Sequence, residues 1–324
     1  MAKPTIFMLG ATGYLGSEFL MLLARDFPDY PVTALVRGSI PEKIARLHEI
    51  HPSIAIVEGT LDDAPIIVEQ VVKADITINS ASSDHWSSVK ATLDGLEKNS
   101  AKNPGKPPLY IHVSGCGIIS DNARGERKEH IKEWSDIGLD LKDCDQTNTH
   151  LESDMPAPGT RKDNPVRTII IYPGQIYGVG RDYAKKLRYA GTWGPGFNVQ
   201  NTIHVQDMAD IMLFVFKAAL EGKAAEGAEG FYFSVTDTKL SYGEWARKMG
   251  DHLYSKGLIQ EPGAKPMPAE VVEPLGHYGW SLLGGSMLAK PDRLAQMGWN
   301  PVESLKVSLL EDLPASIDAA LVDW

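Results

Sequence analysis

Short apolar runs alternate with stretches of helical period through the first half of the chain. Residues 5–9 read as a strand, and the residues after the following glycine-rich turn place Phe19, Leu20, Leu22 and Leu23 at helical spacing. The rhythm repeats: strands are predicted at 32–36, 53–57, 74–78, 109–113 and 166–171, and helices at 41–50, 64–73 and 87–98. Strands that are apolar on both faces and alternate with helices predict a doubly wound parallel α/β sheet of Rossmann type. Beyond Tyr177 the rhythm breaks down. A helix over 206–220, with Met208, Ile211, Met212, Val215 and Phe216 on its apolar face, precedes a strand at 230–235 that can rejoin the sheet.

This pattern apportions the chain. Residues 1–180, with contributions from about 202–236, form the expected dinucleotide-binding domain, and residues 181–201 and 237–324 a smaller, interleaved substrate lobe. The formal charge of −10 argues against nucleic acid, whose phosphates draw on a surplus of Lys and Arg. Two cysteines are too few for a disulfide framework, and no apolar run approaches the roughly 20 residues of a membrane span. A cytoplasmic protein without a membrane partner, acting on a small molecule as a monomer or homodimer, is the expectation. Nine histidines without ligand spacing predict no metal.

Ligands of a doubly wound sheet sit at the carboxyl ends of its strands. The first such place reads Gly10-Ala-Thr-Gly13-Tyr-Leu-Gly16. Gly10 suits a tight turn, Gly13 a close approach to a pyrophosphate, and Gly16 close packing of the helix on the sheet. Thr12, Tyr14 and Leu15 complete the loop, whose helix N-terminus offers unpaired N–H groups to a phosphate. At the end of the second strand an acid would hold the ribose 2′-hydroxyl of NAD. Arg37 stands there instead and suits a 2′-phosphate, so NADP is preferred over NAD.

With Gly59-Thr-Leu-Asp-Asp63, Asn79-Ser-Ala-Ser82, Val113-Ser-Gly115, Tyr172-Pro-Gly-Gln-Ile-Tyr-Gly178, His204-Val-Gln-Asp-Met-Ala-Asp210 and Met297-Gly-Trp-Asn-Pro301 following in order, the sequence resembles the extended short-chain dehydrogenase/reductase family. The resemblance runs from Thr5 to Pro301 and points to the atypical branch that includes fungal epimerase/dehydratase-like proteins. It implies Asp62 at the adenine, Ser80, Ala81 and Ser82 along the ribose and pyrophosphate, and Pro173 and Gly174 near the nicotinamide. It implies structural roles for His204 and Asp207. Enzymes of the family carry a Tyr-xxx-Lys pair between the fifth and sixth strands, yet no tyrosine occurs from Gly115 to Arg167. The Tyr183-Ala-Lys-Lys186 cluster has the wrong spacing and follows the sixth strand.

The substitute candidates lie on the same rim. Ser114 matches the family serine that meets the reacting oxygen. His85, just past the fourth strand, could serve as acid or base because imidazole titrates near neutrality. Tyr177 carries a phenol after the sixth strand. Tyr172, in place of an arginine, predicts a less anionic pocket, and Cys116 reads as a small filler. Trp193, Trp245, Tyr278 and Trp280 suit an aromatic or apolar substrate or a core. The leading expectation is an NADP-dependent oxidoreductase for a small carbonyl or alcohol with a non-standard proton donor. The alternatives are non-redox isomerase, cyclase or lyase chemistry on the same fold, and a non-catalytic NADP-binding regulator.

Overall fold

A computed structural model describes residues 3–157, 165–179 and 190–321. Seven strands form one sheet: β1 (Ile6–Leu9), β2 (Val32–Val36), β3 (Ala55–Glu58), β4 (Ile76–Asn79), β5 (Leu109–Val113), β6 (Arg167–Pro173) and β7 (Phe231–Ser234). Their order is β7-β6-β5-β4-β1-β2-β3. The pairs from β3 across to β6 are parallel, with Ile6 opposite both Val32 and Ile76, and Leu109 opposite Arg167. Every residue of β1 and β4 is buried, as strands covered on both faces require. The sequence direction reverses between β1 and β4, so the crevice at their carboxyl ends is the topological switch point.

The intervening helices are α1 (Tyr14–Asp26), α2 (Pro41–Ile50), α3 (Ala64–Lys73) and α4 (Trp86–Lys102). α2 and α3 match the predicted bounds, each with proline in its first turn, where the missing N–H costs nothing. β3 differs from expectation: it starts two residues later and is only half-buried, because it is the edge strand. β6 runs on through Tyr172 and Pro173. Between β5 and β6 the described residues form only short helical turns, the α-helical one being α5 (Leu151–Asp154), where a long helix would be needed for a Tyr-xxx-Lys pair. α6 (Val205–Leu220) places Phe216 edge-on to Phe19 and Phe27 of the α1 segment.

Two compact units emerge. One gathers the described residues of Met1–Ser114, Glu152–Tyr172 and Ala209–Tyr232, and the other those of Gly115–Leu151, Pro173–Met208 and Phe233–Trp324. Residues 115–151, expected within 1–180, group instead with the second unit. There Trp193 is 1% exposed and packs edge-on against Trp280, over which Arg124 lies. Helix α7 (Tyr242–Ser255) opens on a Ser241–Glu244 capping box, and its Met249 and Leu253 bury against Leu313 and Ile317 of α8 (Leu309–Leu321).

Asp136 is buried in this second unit, where its two oxygens accept the backbone N–H groups of Arg293 at 2.9 Å and Phe233 at 3.0 Å. Burial pushes its carboxyl up to about 6, against the pull of those two donors. A folded-state value above the unfolded one means stability is greatest below about 3.8 and falls as pH rises through 6. The rise corresponds to on the order of 3 kcal/mol. Asp136→Asn removes the charge but supplies one acceptor for two donors. Its unfolding free energy is therefore expected to gain about 2–3 kcal/mol relative to the native chain between pH 4 and 7, read by urea denaturation at each pH. A difference independent of pH would refute the assignment.

Candidate functional site

The glycine loop lies at the switch point. Gly10 adopts φ +91°, a conformation open to glycine, and accepts the N–H of Gly13 at 2.9 Å. A methyl group on Gly10 would meet Ala81 N and the Ser80 carbonyl carbon at 2.7 Å, so this loop and the one after β4 touch backbone to backbone. A methyl on Gly16 would run into the Gly10 carbonyl. Gly13 caps α1 without a side-chain hydrogen bond, and no acid occupies the first turn. The positive end of the α1 dipole at this terminus thus faces neither an acidic residue of its own first turn nor a capping side chain. Thr12 and Tyr14 are half-buried beside the loop, while Leu15 is turned into the core and offers only its backbone.

Arg37 is exposed directly after β2, and its carbonyl accepts Lys43 Nζ of α2 at 2.7 Å. The Lys43 ammonium is thus held at this strand end; Lys43 was not singled out from the sequence, where it reads as an ordinary helix-surface lysine. After β3, Asp63 is engaged by Thr60 N at 2.7 Å and Thr60 Oγ1 at 2.9 Å, which lower its pKa, whereas Asp62 is 84% exposed. Asp62 Oδ1 sits 3.2 Å from Nε2 of His85. His85 is the N-cap of α4, its Nδ1 accepting the Ser88 N–H at 3.3 Å. Nε2 then carries the proton toward Asp62, and the ring is held on the β3 side of β4. The structure brings His85 to Asp62, not to Ser114. Ser80 donates its hydroxyl to the Leu9 carbonyl at 3.1 Å, Ala81 is exposed with its N–H on Asn79 Oδ1, and Ser82 Oγ accepts Asp84 N.

Ser114 ends β5, with its N–H on the Ile171 carbonyl and its hydroxyl donated to Asp154 Oδ2 at 2.6 Å. Asp154, wholly buried in α5, places Oδ1 3.4 Å from His112 Nε2. His112 Nδ1 is 3.0 Å from the Tyr110 hydroxyl, and the two rings stack at 5.4 Å. Tyr110 O in turn lies 3.5 Å from Asn79 Nδ2. Burial pushes the Tyr110 phenol well above its ordinary range, so it stays a donor. Asp154, His112 and Tyr110 were missed from the sequence. The available signal was the period-two spacing of Tyr110, His112 and Ser114, which puts all three on one face of β5.

In the second unit, Gly174 donates its N–H to the Ser234 carbonyl at 3.1 Å, and a methyl there would meet the Asn201 carbonyl oxygen at 2.5 Å. Pro173 closes β6. The Tyr177 hydroxyl is donated to the Val307 carbonyl at 2.7 Å and its ring packs edge-on to His204, so this phenol is occupied structurally. Tyr172 is fully buried against Phe231 and lines core, not pocket, which corrects the altered-pocket expectation. Burial pushes the Cys116 thiol far up, as suits an inert filler. Tyr183, Lys185 and Lys186 lie outside the described residues. Among the described residues no group of three or more His, Cys, Asp or Glu could hold a metal, and no helix is long and apolar enough to cross a membrane.

No family model matches the chain. It is similar to the oxidase ucsJ of Acremonium sp., with 28% identity over 94% of this chain and 95% of that protein. The dTDP-glucose 4,6-dehydratase of Mycobacterium tuberculosis is 24% identical over 62% of this chain and 65% of its own. Among solved structures, a UDP-glucose-4-epimerase from Stenotrophomonas maltophila with bound NAD superposes with a TM-score of 0.64 at 13% identity, covering 99% of this chain and 100% of that one.

Proposed function

We propose that this chain, whose relatives and structural neighbours are enzymes of the extended short-chain dehydrogenase/reductase kind and of epimerase/dehydratase type, is an NADP-dependent oxidoreductase. It acts on a small carbonyl or alcohol, aromatic or apolar in character. The observation that carries this reading is the uncapped N-terminus of α1 over a glycine loop at the switch point, beside an exposed Arg37. The missing Cβ atoms of Gly10 and Gly16 let the loop, the start of α1 and the segment after β4 approach backbone to backbone, the close packing that a pyrophosphate-binding turn needs.

When bound, the nicotinamide supplies a hydride acceptor or donor. The chain's own residues do the rest. The N–H groups at the start of α1 hold the pyrophosphate, Arg37 and Lys43 the 2′-phosphate, and Asp62 with His85 border the adenine side. Ser114, 9% exposed at the end of β5, meets the reacting oxygen. The NAD-bound neighbour concerns the fold alone; NADP is preferred here because Arg37, and not an acid, directly follows β2.

Arg37→Ala is expected to weaken NADPH binding by about 10- to 100-fold, the loss of one or two charge-assisted hydrogen bonds, while leaving NADH binding unchanged. Calorimetric titration with each nucleotide checks this, and equal affinity of the native chain for both would sink the NADP assignment. The activity is tested by NADPH consumption against a panel of aromatic and apolar aldehydes and ketones. Product formed equally well without nucleotide would favour the non-redox reading.

A further inference from the structure

We infer that Ser114 and Asp154 form the proton-handling pair of this site, held in register by a buried chain through His112, Tyr110 and Asn79. The inference rests on the oxidoreductase reading and supplies the group that the missing Tyr-xxx-Lys pair leaves open.

Three buried aspartates among the described residues are satisfied in two ways. Asp136 accepts two backbone N–H groups, and Asp207 accepts three, from Val302, Glu303 and Ser304. Both hold chain segments together. Asp154, equally buried, accepts no backbone N–H among the described residues. It faces side chains only: the Ser114 hydroxyl on Oδ2 and the His112 imidazole on Oδ1. A buried carboxylate is costly unless its oxygens are satisfied, and a structural one is satisfied most firmly by fixed backbone donors. One that spends an oxygen on the hydroxyl at a strand's carboxyl end is placed for proton exchange.

The donors run in one direction along the chain. Asn79 Oδ1 accepts the Ala81 N–H at 3.1 Å, which turns Nδ2 toward Tyr110. The Tyr110 hydroxyl donates to His112 Nδ1, leaving the proton on Nε2 facing Asp154, and Ser114 donates from the other side. Every polar atom of the chain then has a role. The 3.4 Å from His112 Nε2 to Asp154 Oδ1 is long for a hydrogen bond, and neither atom has another partner among the described residues. Ser153 donates to the Ser83 carbonyl and so ties α5 to the loop expected along the cofactor. Asn79 joins that same loop to the far end of the chain. His112, Tyr110 and Asn79 are positioning residues, and Ser114 is the group that touches substrate.

In alcohol oxidation the substrate C–H bond breaks and its hydride passes, with both electrons, to oxidised NADP. The substrate O–H proton moves to Ser114 Oγ as the Ser114 proton moves to Asp154 Oδ2, and the C=O bond forms. Carbonyl reduction is the reverse, with protonated Asp154 as the source. With Nδ1 accepting from Tyr110, His112 turns Nε2 to Asp154 and steadies it. Among the described residues the groups facing Asp154 are Ser114, just past β5, and His112 of β5, with Tyr110 behind them; Glu152 on its own turn is exposed.

The test compares the full chain with Asp154→Asn, Ser114→Ala and His112→Leu. NADPH affinity is read by fluorescence, and kcat/KM with benzaldehyde, benzyl alcohol and a wider carbonyl panel is read across pH. Asp154→Asn and Ser114→Ala are expected to bind NADPH as the native chain does and to lose about 10²- to 10⁴-fold in kcat/KM, the usual worth of general acid–base catalysis. The acid-side limb of the oxidation profile disappears in Asp154→Asn. In His112→Leu kcat falls with KM and NADPH affinity kept, because Asp154 loses the ring that holds it in register. A purely structural Asp154 would shift stability without reshaping the profile. Turnover in the native chain that survives Asp154→Asn with its profile intact overturns the pair alone. A native chain that binds NADPH and turns over none of the panel overturns the oxidoreductase reading beneath it. If Asp154→Asn fails to fold, Ser114→Ala decides between the same outcomes, since it leaves the buried carboxylate in place.

Discussion

Gly16→Ala is expected to cost at least about 100-fold in NADPH affinity, with a loss of stability on the order of 1–3 kcal/mol. The added methyl would collide with the Gly10 carbonyl and stand 2.9 Å from Ser80 Oγ. Neither obstacle yields readily: one is backbone in a φ +91° turn, and the other is tied to Leu9. Relief requires α1 to move away from β1, which carries its N-terminal N–H groups off the phosphate position. Misplacing such donors by about an ångström forfeits most of their effect. Gly10→Ala combines a similar collision with a backbone angle hostile to alanine and is expected to be at least as damaging. Fluorescence titration with NADPH, alongside thermal unfolding, separates the two losses. Unaltered affinity in Gly16→Ala would place the nucleotide elsewhere.

Asp207→Ala is expected to be the most destabilising single substitution outside the glycine loop, at about 3–5 kcal/mol. Three consecutive backbone N–H groups, of Val302, Glu303 and Ser304, converge on this buried carboxylate at 3.0, 3.0 and 2.7 Å. Burial opposes its ionisation, yet the donors from Ser304, Glu303 and Val302 outweigh burial and lower its pKa. A depressed folded-state value gives stability that is present at neutral pH and lost as pH falls below the ordinary carboxylate range. Asp207→Asn keeps one acceptor but turns an NH₂ toward a donor, so it recovers only part of the loss. Urea denaturation at pH 7 and pH 3.5 reads both effects. A gap between native and variant that stays as wide at pH 3.5 would contradict this role.

Asp207 also shows what the sequence made legible. The resemblance implied a structural role for it, and the structure adds the partner: the segment immediately after the Met297–Pro301 motif. The alternation of apolar runs and helical stretches located the sheet because each strand buries both faces; it misjudged β3, whose edge position leaves it half-exposed. The glycine loop was readable since backbone geometry there admits few residues. The place of Arg37 directly after β2 was readable, but the contact of Lys43 was not, because only the fold brings it to the Arg37 carbonyl.

The proton-handling residues were the hardest to see. Ser114 and Asp154 are forty residues apart, and the segment between them belongs to neither a strand of the large sheet nor a long helix. His112 and Tyr110 were hidden in a run that reads as plain strand, where hydropathy gives no hint that alternate side chains form a polar line inside the core. His85 and Tyr177, chosen for chemical type, turn out to be engaged by Asp62 and Val307. Residue type near a strand end is weak evidence for catalysis; what a side chain is already bonded to decides more.

The most direct test of the central claim is a crystal structure with NADP bound. It is expected to show the pyrophosphate over residues 10–16, the 2′-phosphate within hydrogen-bond reach of Arg37, and the nicotinamide beside Ser114, with Ser114 Oγ still on Asp154. A nucleotide bound with Arg37 left in solvent, or with its nicotinamide remote from Ser114, would contradict it.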